Sequence, residues 1–196
     1  MAILAVLFGL YPLAYAFLDP HFGLLSTKAE WLLNNRLWNL AFYTHIAFGG
    51  LSLLIGWLQF NPAIRRQRIY LHRFIGKTYI ISVLLSAIAG LYIAHFATGG
   101  FISALGFICL GVIWLFTTLL AYKRIRQGKV VAHRIWMTYS YAACFAAVTL
   151  RIWLPLLIAG FGDFIPAYQT VAWLCWIPNL MLAAWLHRRI LKNQNL

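Results

Sequence analysis

Acidic side chains are almost missing from this sequence, which holds three Asp and Glu against sixteen Lys and Arg in 196 residues. Asp19, Glu30 and Asp163 all fall between apolar runs, so no carboxylate stands inside a run to serve a proton relay or a cation site. Cysteine is scarce as well. Cys109, Cys144 and Cys175 lie within apolar runs without CxxC spacing, which excludes a disulfide framework and a thiolate zinc site and leaves small buried apolar residues. No HExxH, GxSxG, Walker A or glycine-rich dinucleotide motif occurs, so hydrolase, kinase and nicotinamide chemistry have no footing. Alternating segments of barrel length are absent too.

What is present is apolar. Hydrophobic residues make up 63% of the chain, charged residues 10%, and mean hydropathy is +0.80; soluble domains carry roughly a quarter charged residues. Several runs reach the roughly 20 residues that a helix needs to cross about 30 Å of hydrocarbon. The reading is an all-α, polytopic transmembrane helix bundle of about six spans in a single integral membrane domain. Its segments are 1–18, 38–60, 75–98, 101–122, 133–159 and 166–187, with an external linker over 19–37. The first segment ends near Ala14-Tyr15-Ala16, which mimics a signal-peptidase site, but no Lys or Arg precedes its apolar run, which favours a retained helix. In the linker, Thr27 and Glu30 have capping-box spacing ahead of a short surface helix.

The net charge of +13 does not form a nucleic-acid face. It gathers in two short loops, Arg65 to Lys77 and Lys123 to Lys129, and in a tail with Arg188, Arg189 and Lys192, the pattern of cytoplasmic loops. Both termini are therefore expected on the cytoplasmic side. Trp31, Trp38 and Trp153 would mark the outer interface, and Trp57, Trp136 and Trp185 the inner one.

Within the spans, small and polar residues fall into stripes. His45, Gly49, Ser52, Gly56 and Gln59 recur at steps of four and three along one helix face. Ser82, Ser86, Gly90 and Ala94 repeat every four residues, a seam for close helix approach. Tyr139, Ala143, Ala147 and Arg151 do the same on the fifth span, where Pro155 is expected to kink the last turns. Pro178-Asn179 interrupts the sixth. A short internal repeat is also visible: a span, a basic loop and His72-Arg73 are echoed by a span, a basic loop and His133-Arg134, with Tyr79 and Tyr139 following.

Two candidate sites follow. The inner one gathers His72, Arg73, His133 and Arg134, with Gln59 at the same depth. Two histidines from facing helices suit bis-imidazole ligation of haem iron, and adjacent arginines suit its propionates. The same set would also grip a quinone head or an anionic lipid head group, and His-Arg at a helix start is equally an interfacial anchor. The outer site pairs His45 with Arg151, an intramembrane charge that either calls for a carbonyl, a hydroxyl, Asp163 or a bound anionic or carbonyl-bearing ligand, or snorkels outward past Trp153 to lipid head groups. His95 points away from the small-residue seam and reads as an interfacial anchor. His21 and His187 read as solvated.

The ordered series His45, Gly49, Gly56, Gln59-Phe60, Arg65 to Arg68, His72-Arg73-x-x-Gly76-x-x-Tyr79, His133-Arg134-x-Trp136-Met137 and Val148-Thr149-Leu150-Arg151 resembles the bacterial family catalogued as domain of unknown function 2306. The resemblance covers about residues 36 to 186. It implies a multi-pass protein of the bacterial cytoplasmic membrane and supplies no reaction. The residues themselves leave three functional readings: a redox protein holding haem b or a quinone, a transporter or binding protein for an anionic molecule or lipid head group, and an accessory subunit of a membrane complex. Membrane lipids are partners in all three and nucleic acid in none.

Overall fold

The computed structural model describes residues 2–17 and 23–192; Asp19 and His21 lie outside them, as do the side chains of 16, 17 and 189–192. Among the described residues all regular structure is helical. Five helical stretches are long and apolar enough to cross a membrane: Arg36–Phe60, Ile69–Ala94, Gly100–Arg126, Val130–Phe161 and Phe164–Arg188. The first segment is shorter. Its described apolar helix runs over Ala2–Leu13.

We label the helices α1 (Ala2–Leu10), α2 (Arg36–Gly56), α3 (Ile69–Ala94), α4 (Gly100–Arg126), α5 (Val130–Cys144), α6 (Ala146–Phe161), α7 (Phe164–Leu174) and α8 (Ile177–Lys192). Their boundaries have local causes. Asn35 accepts from Trp38 N at 3.1 Å to cap α2, and Asp163 accepts from Ile165 N at 3.1 Å to cap α7. Gly99 and Gly162 hold left-handed φ values of 90° and 70°, which turn the chain before α4 and after α6. Consecutive long helices pack side by side, α2 on α3, α3 on α4, α4 on α5 and α6 on α7, while α8 returns to α5.

The α2–α3 contact is the most extensive, and the two small-residue stripes meet in it. Ser86 Oγ donates to His45 O at 2.9 Å, and His45 Nδ1 lies 2.9 Å from Ser86 O. Gly90 makes room for that imidazole: a Cβ there would stand 2.7 Å from His45 Nδ1. The bundle centre is polar and satisfied. Tyr79 OH bonds Ser140 Oγ at 2.9 Å, Ser140 Oγ bonds Thr118 Oγ1 at 2.7 Å, and Tyr141 OH donates to Leu53 O at 3.1 Å. Tyr79, Thr118 and Ser140 are fully enclosed, so these bonds remove costs that bare hydroxyls would carry in an apolar core.

Several expectations need correction. The fifth span carries Pro155 inside α6, and its helix has in addition a break ten residues earlier, at Phe145, between α5 and α6. The sixth breaks just ahead of Pro178-Asn179, at Cys175 and Trp176, where a proline ring cannot accept the preceding turn. The two breaks face each other. Asn179 Nδ2 donates to Ala142 O at 3.3 Å, to Cys175 O at 3.0 Å and to Thr149 Oγ1 at 3.1 Å, and Thr149 Oγ1 donates to Cys175 O. Backbone freed inside an apolar bundle is thus satisfied by one amide and one hydroxyl.

The linker helix exists as one turn, Glu30–Leu33, yet no capping box forms. Ala29 stands at its N-cap, while the Thr27 hydroxyl donates to Leu24 O and bonds Thr98 Oγ1. Lys28 Nζ donates to Phe96 O at 2.6 Å and to Thr98 Oγ1 at 3.0 Å, so this stretch is tied to the α3–α4 turn. Trp38 is accordingly no belt residue. It is buried with Leu25 and Leu32 and stacked on Phe42, whereas Trp31, Trp153 and Trp185 are exposed. The third span begins at Ile69, so His72 sits inside its helix. His187 also lies within a helix, half-buried with its ring 6.3 Å from that of Tyr139, because α8 continues through the tail.

Candidate functional site

The seven candidate residues divide between two of the cavities in the bundle. Gln59, His72, Arg73, His133 and Arg134 line a cavity of about 1040 Å³ at the basic end. His45 and Arg151 line a second, of about 650 Å³, toward the opposite end. His95 lines neither; its Nδ1 meets Leu91 O at 2.8 Å and its ring is exposed.

The basic-end cavity is built where α2 ends and where α3 and α5 begin. Asn61 accepts from Ala63 N at 2.9 Å ahead of a one-turn helix, Pro62–Gln67, which carries Arg65 over the opening. His133 Nδ1 lies 2.9 Å from Ala121 O. A carbonyl only accepts, so that nitrogen bears the proton and Nε2 keeps its lone pair, the orientation common in metal-ligating imidazoles. Three further nitrogens on this cavity, Gln59 Nε2, Arg65 Nε and His72 Nδ1, are buried without a partner. Such groups are rare in folded proteins and cost about 1–3 kcal/mol each when left bare.

The cavity is crowded with positive charge. Arg65, Lys77 and Arg126 join Arg73 and Arg134 on its walls, and among the described residues no acid does. Burial first, then the charges of Arg134 and Arg66, pull the Arg65 pKa below the usual arginine range. Phe60, Ile80, Ile125 and Met137 supply apolar wall. Nothing in the spacing of Arg65, Lys77 or Arg126 singled them out, because each reads as an ordinary loop or helix-end cation.

The second cavity lies between α1, α2, α3 and α6 and reaches to Trp114 and Cys144 in the bundle centre. Arg151 NH1 donates to Ala147 O at 2.6 Å, one turn back on its own helix, and its guanidinium lies 4.4 Å from the Tyr11 ring centroid. Of the partners anticipated for it, a carbonyl is the one found. Asp163 is engaged in capping α7. Tyr11 was not foreseen, because its place beside Arg151 depends on how α1 docks. That docking is close: a Cβ on Gly50 would stand 2.7 Å from Gly9 O.

The three cysteines are free, with Cys144 and Cys175 buried. No group of three or more His, Cys, Asp or Glu able to hold a metal ion occurs among the described residues.

Neither the curated proteins nor the solved structures contain a match to this chain. The model of a family described as "Predicted membrane protein (DUF2306)" matches residues 42–187, which run from within α2 to within α8 and include every residue named on the basic-end cavity. The chain is therefore a multi-pass, all-helical membrane protein that belongs to the DUF2306 family.

Proposed function

We propose that this is a membrane redox protein whose basic-end cavity binds haem b or a quinone between His72 and His133. The observation that carries the reading is the set of unsatisfied nitrogens on that one cavity, Gln59 Nε2, Arg65 Nε and His72 Nδ1, beside the bare Nε2 of His133. The donor set fits haem: imidazoles from α3 and α5 would take the iron, and Arg73 and Arg134 its carboxylates. It also fits a quinone, with Gln59 and His72 donating to the carbonyl oxygens. Either cofactor would supply electron transfer, while the protein holds it, shields it with apolar wall and neutralises its charge. On this reading the basic end faces the bacterial cytoplasm.

The purified protein is expected to show a Soret band and a haemochrome spectrum, or to yield quinone on solvent extraction. His72→Ala and His133→Ala should each remove the cofactor. A colourless preparation free of quinone defeats the proposal. The cation count favours a second reading, because five Lys and Arg exceed what two propionates require. A phospholipid or other anion retained in place of pigment would support that binding or transport role.

A further inference from the structure

The second cavity carries an inference that does not depend on the first. We infer that it is a binding site for a long-chain carboxylic acid, whose head group bridges His45 and Arg151.

The argument begins with the protons. Ser86 Oγ uses its hydrogen on His45 O, so toward the imidazole it can only accept, as the Ser86 carbonyl does. His45 Nδ1 therefore carries the ring proton and Nε2 carries the lone pair. Nε2 has no protein partner and is not sealed in protein, so it opens on the cavity that His45 lines. The site offers a fixed hydrogen-bond acceptor at that point.

Arg151 offers the opposite. Its guanidinium has five N–H donors, and a single carbonyl, Ala147 O, receives one of them. Stacking on Tyr11 accommodates the charge without neutralising it. Neither described acid pairs with it, although it lies in a membrane-spanning segment where an unneutralised charge is costly. Among the described residues no anion stands beside Arg151, and its remaining donors call for an acceptor.

A carboxylic acid meets both demands with one head group. Its O–H donates to His45 Nε2 and its carbonyl oxygen accepts from Arg151. Transfer of that proton to Nε2 breaks the O–H bond and leaves the electron pair on the carboxylate; the net charge of the site is unchanged, but Arg151 gains an adjacent anion, which lies between imidazolium and guanidinium. A quinol or an alcohol can satisfy the acceptor, but its O–H is too weakly acidic to give up the proton, so it leaves no anion beside Arg151. Much of the remaining wall suits an alkyl chain, since Phe8, Trp38, Phe42, Phe107, Leu110 and Trp114 line it, while Ser26, Thr27 and Lys28 make one part polar; about 650 Å³ lies within the usual range of ligand sites.

Trp38 and Trp114 make binding visible. Protein in dodecyl maltoside is titrated with dibrominated stearic acid, a heavy-atom quencher of indole fluorescence, and in parallel with its methyl ester. Saturable quenching by the acid, with the ester weaker by about tenfold or more, is expected. Arg151→Gln and His45→Gln should each weaken the acid by about tenfold or more, with helical content unchanged. The acid and ester comparison uses the native chain, so it decides the matter even if a variant does not fold. Equal binding of the ester, absence of saturable quenching, or an unchanged affinity in a folded Arg151→Gln overturns the inference. His72→Ala should leave the titration unaltered, so failure here leaves the redox reading of the other cavity standing.

Discussion

Tyr79 and Ser140, whose side chains share a 2.9 Å hydrogen bond at the bundle centre, each stand seven residues beyond the histidine of a His-Arg pair. The repeat seen in the sequence is therefore a packing relation, with α3 and α5 running from one basic end and meeting two turns inside. It also corrects the register. The counterpart of Tyr79 is Ser140, whereas Tyr139 turns toward Trp136 and His187.

Removing one member of this pair should expose the other. Tyr79→Phe strips Ser140 of a partner and takes away the oxygen 3.5 Å from Trp114 Nε1, and should lower stability by about 1–2 kcal/mol. Thermal unfolding in detergent of Tyr79→Phe, Ser140→Ala and the double variant checks this. Fully additive losses would show that the two side chains are not coupled.

Two glycine substitutions should act with opposite sign. Gly90→Ala places a methyl group 2.7 Å from His45 Nδ1 and should cost about 1–3 kcal/mol by driving the imidazole off Ser86. Gly160 sits in α6 with open space around it, so Gly160→Ala should gain about 0.5–1 kcal/mol from helix propensity. Unfolding midpoints that move in the same direction would count against the α2–α3 contact described here.

Asn179→Leu keeps the bulk but removes the amide that serves both helix breaks. A loss of about 1–3 kcal/mol is expected from the carbonyls of Ala142 and Cys175. Hydrogen exchange measured by mass spectrometry should rise over 142–149 and 175–179 while α2 and α3 keep their protection.

Lys28 predicts a pH dependence. Its ammonium is partly buried against Phe96 O and Thr98, and burial lowers its pKa from 10.5 to about 8. Below that value both folded and unfolded chains hold the proton, and the folded state bears the full desolvation cost. Between about 8 and 10.5 the unfolded chain binds more protons, so this contribution to stability rises with pH. The unfolding midpoint should therefore rise from pH 8 to 10 relative to that of Lys28→Met. Parallel profiles would remove Lys28 from the account.

Composition and periodicity made the bundle legible, because an apolar run of span length has few alternatives to a helix. The grouping of Gln59 with His72 and His133, and of His45 with Arg151, was legible too, since depth follows from residue count along antiparallel helices. Other features needed three dimensions. The break at Phe145 has no proline or glycine of its own, and the Ala142 carbonyl beside it is met by Asn179, more than thirty residues away in sequence. Lys28 and Tyr11 enter through docking of the linker and α1, which a local pattern does not encode. Thr27 had the right spacing for a cap, but Thr98 offered its hydroxyl another partner.

The reciprocal fit of His45 with Gly90 and of Ser86 with Gly49 has a consequence for heredity. A Cβ at Gly90 meets the imidazole, and one at Gly49 stands 3.0 Å from Ser86 Oγ. Neither helix can acquire bulk at this crossing unless the other gives it up. Positions 45 and 90, and positions 49 and 86, should therefore drift in pairs among descendants of this sequence, and a lineage that replaces the histidine is the one free to replace the glycine opposite it.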